Sequence, residues 1–235
     1  MSIFKKWDVL LIAALFASLI VIAYSHVIFF DVMFIKRDIG RYYHPLRFLI
    51  LRIFQSGGFP FWNPYLFCGV PLFASLQSCV LYPASLIYYL GNFSYMFNIF
   101  ILFHLFLAGV FMYIFMKELG LSKAASFFSA FTFSFSGYMI GAINLTISLC
   151  AAAWFPLLLY FFKRKQPVFT AAVLLMMLLA GDPAIVYISV LVLFCTAIIL
   201  PRYLKAFFIA IHGLCYCSRL VSAAYRSFKP HHPVF

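Results

Sequence analysis

The chain has 235 residues, 66% of them hydrophobic and 9% charged, and its 17 Lys and Arg against 5 Asp and Glu leave a formal net charge of +12. Its mean hydropathy is +1.07. So few charges cannot clothe a water-soluble domain of this size. The basic residues stand between apolar runs, which excludes a nucleic-acid partner and points to a membrane protein with cationic flanks.

The first apolar run, residues 9–30, carries no Lys, Arg, Asp or Glu. A bilayer core of about 30 Å takes about 20 helical residues to cross, so this run predicts a first span. It lacks a small-x-small cleavage end and reads as a retained anchor. Later runs at 95–116, 124–142, 145–162, 168–181 and 184–200 predict further spans. The expected fold is an all-α polytopic membrane protein with about six transmembrane helices, plus short interfacial helices in a long first external loop. Lys5 and Lys6 precede the first span, Lys117 and Lys123 separate the second from the third, and Lys163, Arg164 and Lys165 separate the fourth from the fifth. Arg202 and Lys205 follow the sixth. With a cytoplasmic N-terminus every one of these clusters falls inside, as positive-inside orientation requires.

The loop at residues 31–94 then lies outside. It holds Lys36, Arg37, Arg41, Arg47 and Arg52. Two readings stand side by side: the cations snorkel to lipid headgroups, or some of them meet a phosphate, which the guanidinium fork suits. Residues 37–44 precede Pro45 and are predicted extended or turned. Pro45 opens an amphipathic stretch to Gln55, too short to span and predicted as an interfacial helix. A second short segment, 81–90, leads back to the membrane. Between them, residues 59–73 read FPFWNPYLFCGVPLF. Pro60, Pro64 and Pro71 forbid a membrane helix there. Its rings suit either an interfacial aromatic belt or the wall of a wet cavity, where irregular backbone at membrane depth is tolerated.

Asp8 and Glu118 fall at cytoplasmic ends, whereas Asp31, Asp38 and Asp182 fall outside, with Asn144 in a short external turn. Run 168–181 covers about 21 Å, so the turn at Asp182–Pro183 is expected in a recess. There the carboxylate is either functional or the N-cap of the next helix. Among the cysteines, Cys150 and Cys195 read as packing residues, Cys215 and Cys217 are too close for a standard metal pair, and Cys68 and Cys79 are a candidate disulfide if the loop meets an oxidising compartment.

The order D-x-x-x-Y-Y-x-P (Asp38, Tyr42, Tyr43, Pro45), F-P-F-W-N-P-Y-L-F-C-G-V-P-L-F-A (59 to 74), Gln77 and Tyr82–Pro83 resembles the YfhO-like family of bacterial membrane proteins. L-G-L-S-K-A-A (119 to 125), F-S-G-Y (135 to 138), A-W-F-P-L-L-L (153 to 159) and A-G-D-P (180 to 183) look like the same family's later landmarks. The resemblance runs to about residue 200. It implies a GT-C-type glycosyltransferase of the bacterial cytoplasmic membrane, multi-pass with its site on the external face. Its polyprenyl-phosphate sugar donor would serve a cell-envelope acceptor such as lipoteichoic acid. It also implies a catalytic acid in the first external loop, and Asp38 holds that position; Asp31 lies nearer the span but outside the motif. Lys36, Arg37 and Arg41 become candidates for the donor phosphate, Arg41 foremost. Trp62 and Tyr65 become candidates for stacking on sugar or isoprene, and Tyr42, Tyr43, Asn63 and Gln77 complete the loop's expected substrate contacts. Asn144 and Asp182 would orient the acceptor or share a divalent metal with Asp38; whether a metal is needed stays open. His44 reads as assisting or structural.

The expected organisation is a transmembrane domain over residues 1–205 and an atypical basic tail over 206–235. Family members are several times longer, and the tail's unpatterned composition reads as truncated or frameshifted. The alternatives are an inactive membrane fragment and a transporter of lipid-linked sugars; internal repeat symmetry, which a transporter would show, is not evident.

Overall fold

A computed structural model describes the backbone of residues 6–30 and 32–227, and the side chains of 10–30, 32–219 and Ala223. Asp31 and the side chain of Asp8 lie outside the described residues. The protein is mostly helical, as expected. Helix α1 (Lys6–Ala23) is followed by the short α2 (Ser25–Phe29). The chain then turns through a π-helical stretch (Ile39–Tyr43) directly into α3 (His44–Gln55). A two-residue hairpin, β1 (Trp62–Asn63) against β2 (Val70–Pro71), and two 3-10 segments (Leu76–Ser78 and Pro83–Tyr89) complete the loop. The remainder is α4 (Phe93–Glu118), α5 (Lys123–Ser134), α6 (Gly137–Ala142), α7 (Thr146–Lys163), α8 (Pro167–Leu179), α9 (Pro183–Ile199) and α10 (Leu204–Ser227).

Among the described residues, α4 and α7 are both long and apolar enough to cross a membrane. Leu10–Ala23, α8 and α9 are shorter apolar helices. The expected run 124–142 is two helices. At Ser136 the backbone turns extended and the hydroxyl accepts a hydrogen bond from Met139 N at 3.2 Å, starting α6 afresh. That is the usual work of a serine N-cap.

Glycine and small polar residues let the helices approach. A Cβ on Gly109 would sit 2.4 Å from the Phe16 ring, so α1 lies directly on α4 at that point. Ser134 Oγ donates to Leu105 O at 2.7 Å and joins α5 to α4. The stretch expected to be unpatterned departs most from expectation. In α10, Ala206, Phe207 and Ala210 are buried and Ile211 and Leu214 half-buried, a helical stripe packed with Val173, Leu174 and Met177 of α8.

Two hydrogen bonds define the ends of the bundle. At one end Lys163 Nζ donates to Glu118 O, uniting the last turns of α4 and α7 where the lysines cluster. At the other, the Cys79 thiol donates to Ala180 O at 2.9 Å, fastening the loop to the end of α8. The aromatic loop and Asp182 therefore share one end of the molecule.

A buried polar chain holds the loop's second half. His104 Nδ1 lies 2.7 Å from Phe100 O and its Nε2 lies 2.7 Å from the Tyr82 hydroxyl, which accepts from Trp154 Nε1 at 2.8 Å. With Nδ1–H donating to the carbonyl, Nε2 is the acceptor and Tyr82 its donor. Tyr82→Phe leaves the ring nitrogen and the indole N–H unpaired in the interior. Each orphaned group costs about 1–3 kcal/mol. The expected result is a lowered thermal midpoint for the purified protein in detergent; an unchanged midpoint would show that the chain of bonds is not holding the loop.

Candidate functional site

The loop's first segment is pinned before it turns. Asn98 of α4 donates through Nδ2 to Val32 O at 3.0 Å and accepts from Phe34 N at 3.2 Å. Arg37 follows with a left-handed φ of 48°. Asp38 then begins the π-helical turn, in which Ile39 and Tyr43 are buried while Arg37, Asp38 and Arg41 are exposed. This stretch is helical, in place of the extended or turned conformation expected before Pro45. His44 takes helical angles, and Pro45 sits in the first turn of α3, where a missing N–H is harmless. His44 is held by Ser94 Oγ at 3.2 Å and by the Phe93 ring at 4.8 Å, and burial lowers its pKa. The Tyr43 phenol is pushed up to about 12, first by burial and then by the neighbouring Tyr42 and Asp38.

Helix α3 has two working faces. One carries Arg41 (from the turn before it), Pro45, Phe48 and Arg52 into a cleft of about 460 Å³, closed on the far side by Asn63, Tyr65 and Leu66 of the hairpin. Tyr42 lines it as well. The other face carries the buried Arg47, Ile50 and Leu51 and the half-buried Phe54 toward the bundle.

The proline-aromatic stretch is the hairpin itself. Trp62 pairs with Pro71 and Asn63 with Val70. The Trp62 indole lies across Gly69, where a Cβ would be 2.4 Å from the ring. Asn63 is buried and its Oδ1 accepts from Tyr65 N at 2.9 Å, which shapes the turn. Phe59 packs on Phe61 at 4.6 Å and on Phe73 at 5.0 Å, between centroids. The tip points outward: Tyr65 is 80% and Phe67 90% exposed.

The structure thus brings Arg41, Tyr42, Asn63 and Tyr65 into one cleft and adds Arg52. Asp38 and Arg37 stand exposed on the same turn, one step upstream of Arg41. Trp62 is half-exposed on the hairpin and Gln77 is exposed beyond it; neither lines the cleft. Tyr43 is buried in the core. Asn144 caps its own turn, with Nδ2 on Gly141 O at 3.5 Å. Asp182 is buried and does the N-cap work: Oδ1 accepts from Ala184 N at 3.0 Å and Ile185 N at 3.2 Å, and Oδ2 accepts from the Ser148 hydroxyl.

Cys68 and Cys79 are both free thiols, the first exposed near the hairpin tip and the second buried on Ala180, so the disulfide entertained between them is not formed. Among the described residues no group of three or more His, Cys, Asp and Glu gathers as a ligand set. Ser148 and the Tyr82–His104–Trp154 chain are additions that sequence reasoning did not reach, while Arg52, one of the loop cations weighed for a phosphate, gains its place beside Arg41 only in the fold. Comparison of the chain with protein families, with curated proteins and with solved structures returns no match.

Proposed function

We propose that this is a membrane-embedded glycosyltransferase, or the N-terminal part of one, that moves a sugar from a polyprenyl-phosphate donor to a hydroxyl of an envelope glycan or polymer. The observation carrying this reading is the cleft in which Arg41 and Arg52 face the rings of Tyr42 and Tyr65 and the apolar Pro45, Leu46 and Leu49. Two guanidinium groups suit a phosphate, and the apolar and aromatic wall suits the isoprenoid or sugar attached to it. Asp38 lies on the same turn, open to solvent and without a capping duty.

In the reaction the acceptor oxygen attacks the anomeric carbon, and the bond from that carbon to the phosphate oxygen breaks. Polyprenyl phosphate leaves with the electron pair. Asp38 takes the acceptor's proton, and Arg41 and Arg52 stabilise the charge that grows on the departing phosphate.

The membrane setting is supported by what the helices leave uncovered. Tyr187, Ile188, Leu191, Phe194, Ile198 and Ile199 of α9 and Phe208 and Ile209 of α10 are exposed apolar side chains, and a face of that kind favours lipid over water. In this reading α1 with α2, α4, α5 with α6, α7, α8 and α9 make the six crossings. The lysine-rich end is cytoplasmic and the hairpin end lies outside.

Binding tests the cleft. For the full chain in detergent, Arg41→Gln and Arg52→Gln are each expected to weaken an undecaprenyl-phosphate probe by roughly tenfold to a hundredfold, the range of a charge-assisted hydrogen bond of about 1.5–3 kcal/mol. The loss should shrink as salt rises, because exposed cations are screened. Equal binding by the double variant and the wild type would remove the cleft from the proposal.

A further inference from the structure

The opposite face of α3 holds a feature the sugar-transfer reading leaves unused. Arg47 is 4% exposed, and among the described residues its Nη1 has no hydrogen-bond partner. The Tyr88 hydroxyl is also buried; it lies close enough to Arg47 for the two to interact electrostatically, but among the described residues it makes no hydrogen bond of good geometry. Both border a cavity of about 300 Å³ whose remaining wall includes Ile50, Phe54 and Leu86. Among the described residues no carboxylate lines this cavity. Burial raises the pKa of the neighbouring Cys79 thiol and of the Tyr88 phenol, so both are neutral near pH 7 and neither balances the cation. Arginine does not shed its proton. A buried guanidinium without a counter-charge is strongly disfavoured, and the cheapest completion is an anion with several acceptor oxygens.

We propose that this inner cavity is a phosphate site, in which Arg47 and Tyr88 bind the phosphate of an anionic phospholipid whose apolar part lies against Ile50, Phe54 and Leu86. The lipid would serve as a resident structural partner, separate from any donor in the outer cleft. The inference stands whether or not the outer cleft transfers sugar, since the two pockets lie on opposite faces of one helix and share no lining residue.

The test is native mass spectrometry of the full chain in dodecyl maltoside, titrated separately with dihexanoylphosphatidic acid, dihexanoylglycerol and inorganic phosphate. One phosphatidic acid per chain is expected, with dihexanoylglycerol failing to bind and Arg47→Met weakening the phosphatidic acid by about thirtyfold or more. Arg41→Gln/Arg52→Gln should keep that binding, which separates this site from the outer cleft. Inorganic phosphate binding as tightly as the lipid supports the site and makes the free ion its source. Undiminished binding by Arg47→Met, equal binding of dihexanoylglycerol, loss of binding in the Arg41/Arg52 variant, or no binding of either phosphate compound to the wild type would each overturn the proposal. If Arg47→Met does not fold, Tyr88→Phe provides the comparison: a severalfold loss supports the site and none overturns it.

Discussion

Asp38→Asn is expected to slow sugar transfer from a polyprenyl-phosphate donor by about a hundredfold to ten-thousandfold, the contribution typical of a general base. Asparagine keeps the size of the side chain but cannot accept the proton. Asp38 is exposed, and no capping bond depends on it. The fold should therefore be indifferent, and the thermal midpoint unchanged. Donor affinity should also hold, because Arg41 and Arg52 remain. That combination, turnover lost with binding and stability kept, is what distinguishes a proton acceptor from a damaged loop. Full turnover in Asp38→Asn would retire Asp38 from the role.

Gly181→Ala is expected to loosen the whole loop end, by about 2–4 kcal/mol for backbone strain and steric overlap together. Gly181 has φ +97°, and a Cβ there would meet Leu76 O at 2.7 Å and Cys79 Sγ at 2.8 Å. A backbone carbonyl cannot swing aside as a side chain can, so the 3-10 turn must lift from α8 or the α8–α9 turn must deform. Gly120→Ala is the control: its φ is +90°, but nothing lies within 4 Å of a Cβ. It carries the conformational penalty alone, about 1–2 kcal/mol. Denaturant unfolding in detergent compares the two variants. Equal losses would mean that the loop does not press on the Gly181 turn.

The helices readable in advance were those bounded by punctuation. For α8 and α9, Pro167 and Pro183 open runs without a charge, and for α4 and α7 lysines close them; the boundaries agree within a few residues. The break between α5 and α6 left no mark in hydropathy, because Phe135 and Ser136 interrupt the hydrogen bonding without interrupting the apolar run. In α10 the basic residues masked a stripe in which only every third or fourth position faces α8. At Pro45 a local preference lost to tertiary packing: burial of Ile39 and Tyr43 outweighs the bias against helix before proline.

The site was legible in part for a related reason. The resemblance grouped Arg41, Tyr42, Asn63 and Tyr65 as expected substrate contacts, and the fold lines one cleft with them. Nothing in the spelling distinguishes Arg47 from Arg52, yet one is buried and the other open. Their difference is helical phase, five positions apart and so on opposite sides of α3. Tyr82 meets His104 and Trp154 across 22 and 72 positions, separations over which no sequence pattern operates.

The loop is clamped at two places, by Asn98 on Val32 and Phe34 near its start and by Cys79 and Tyr82 near its finish. A ribbon fastened at both ends bows most in the middle. The middle here is the hairpin tip with Tyr65 and Phe67, beside the outer cleft, while Arg47 sits beneath the fastenings. A ligand entering the outer cleft would pass the exposed hairpin tip, whereas one beside Arg47 would lie against the turn that Cys79 and Tyr82 fasten. The same stretch of polypeptide thus borders a free edge on one side and a fastened one on the other.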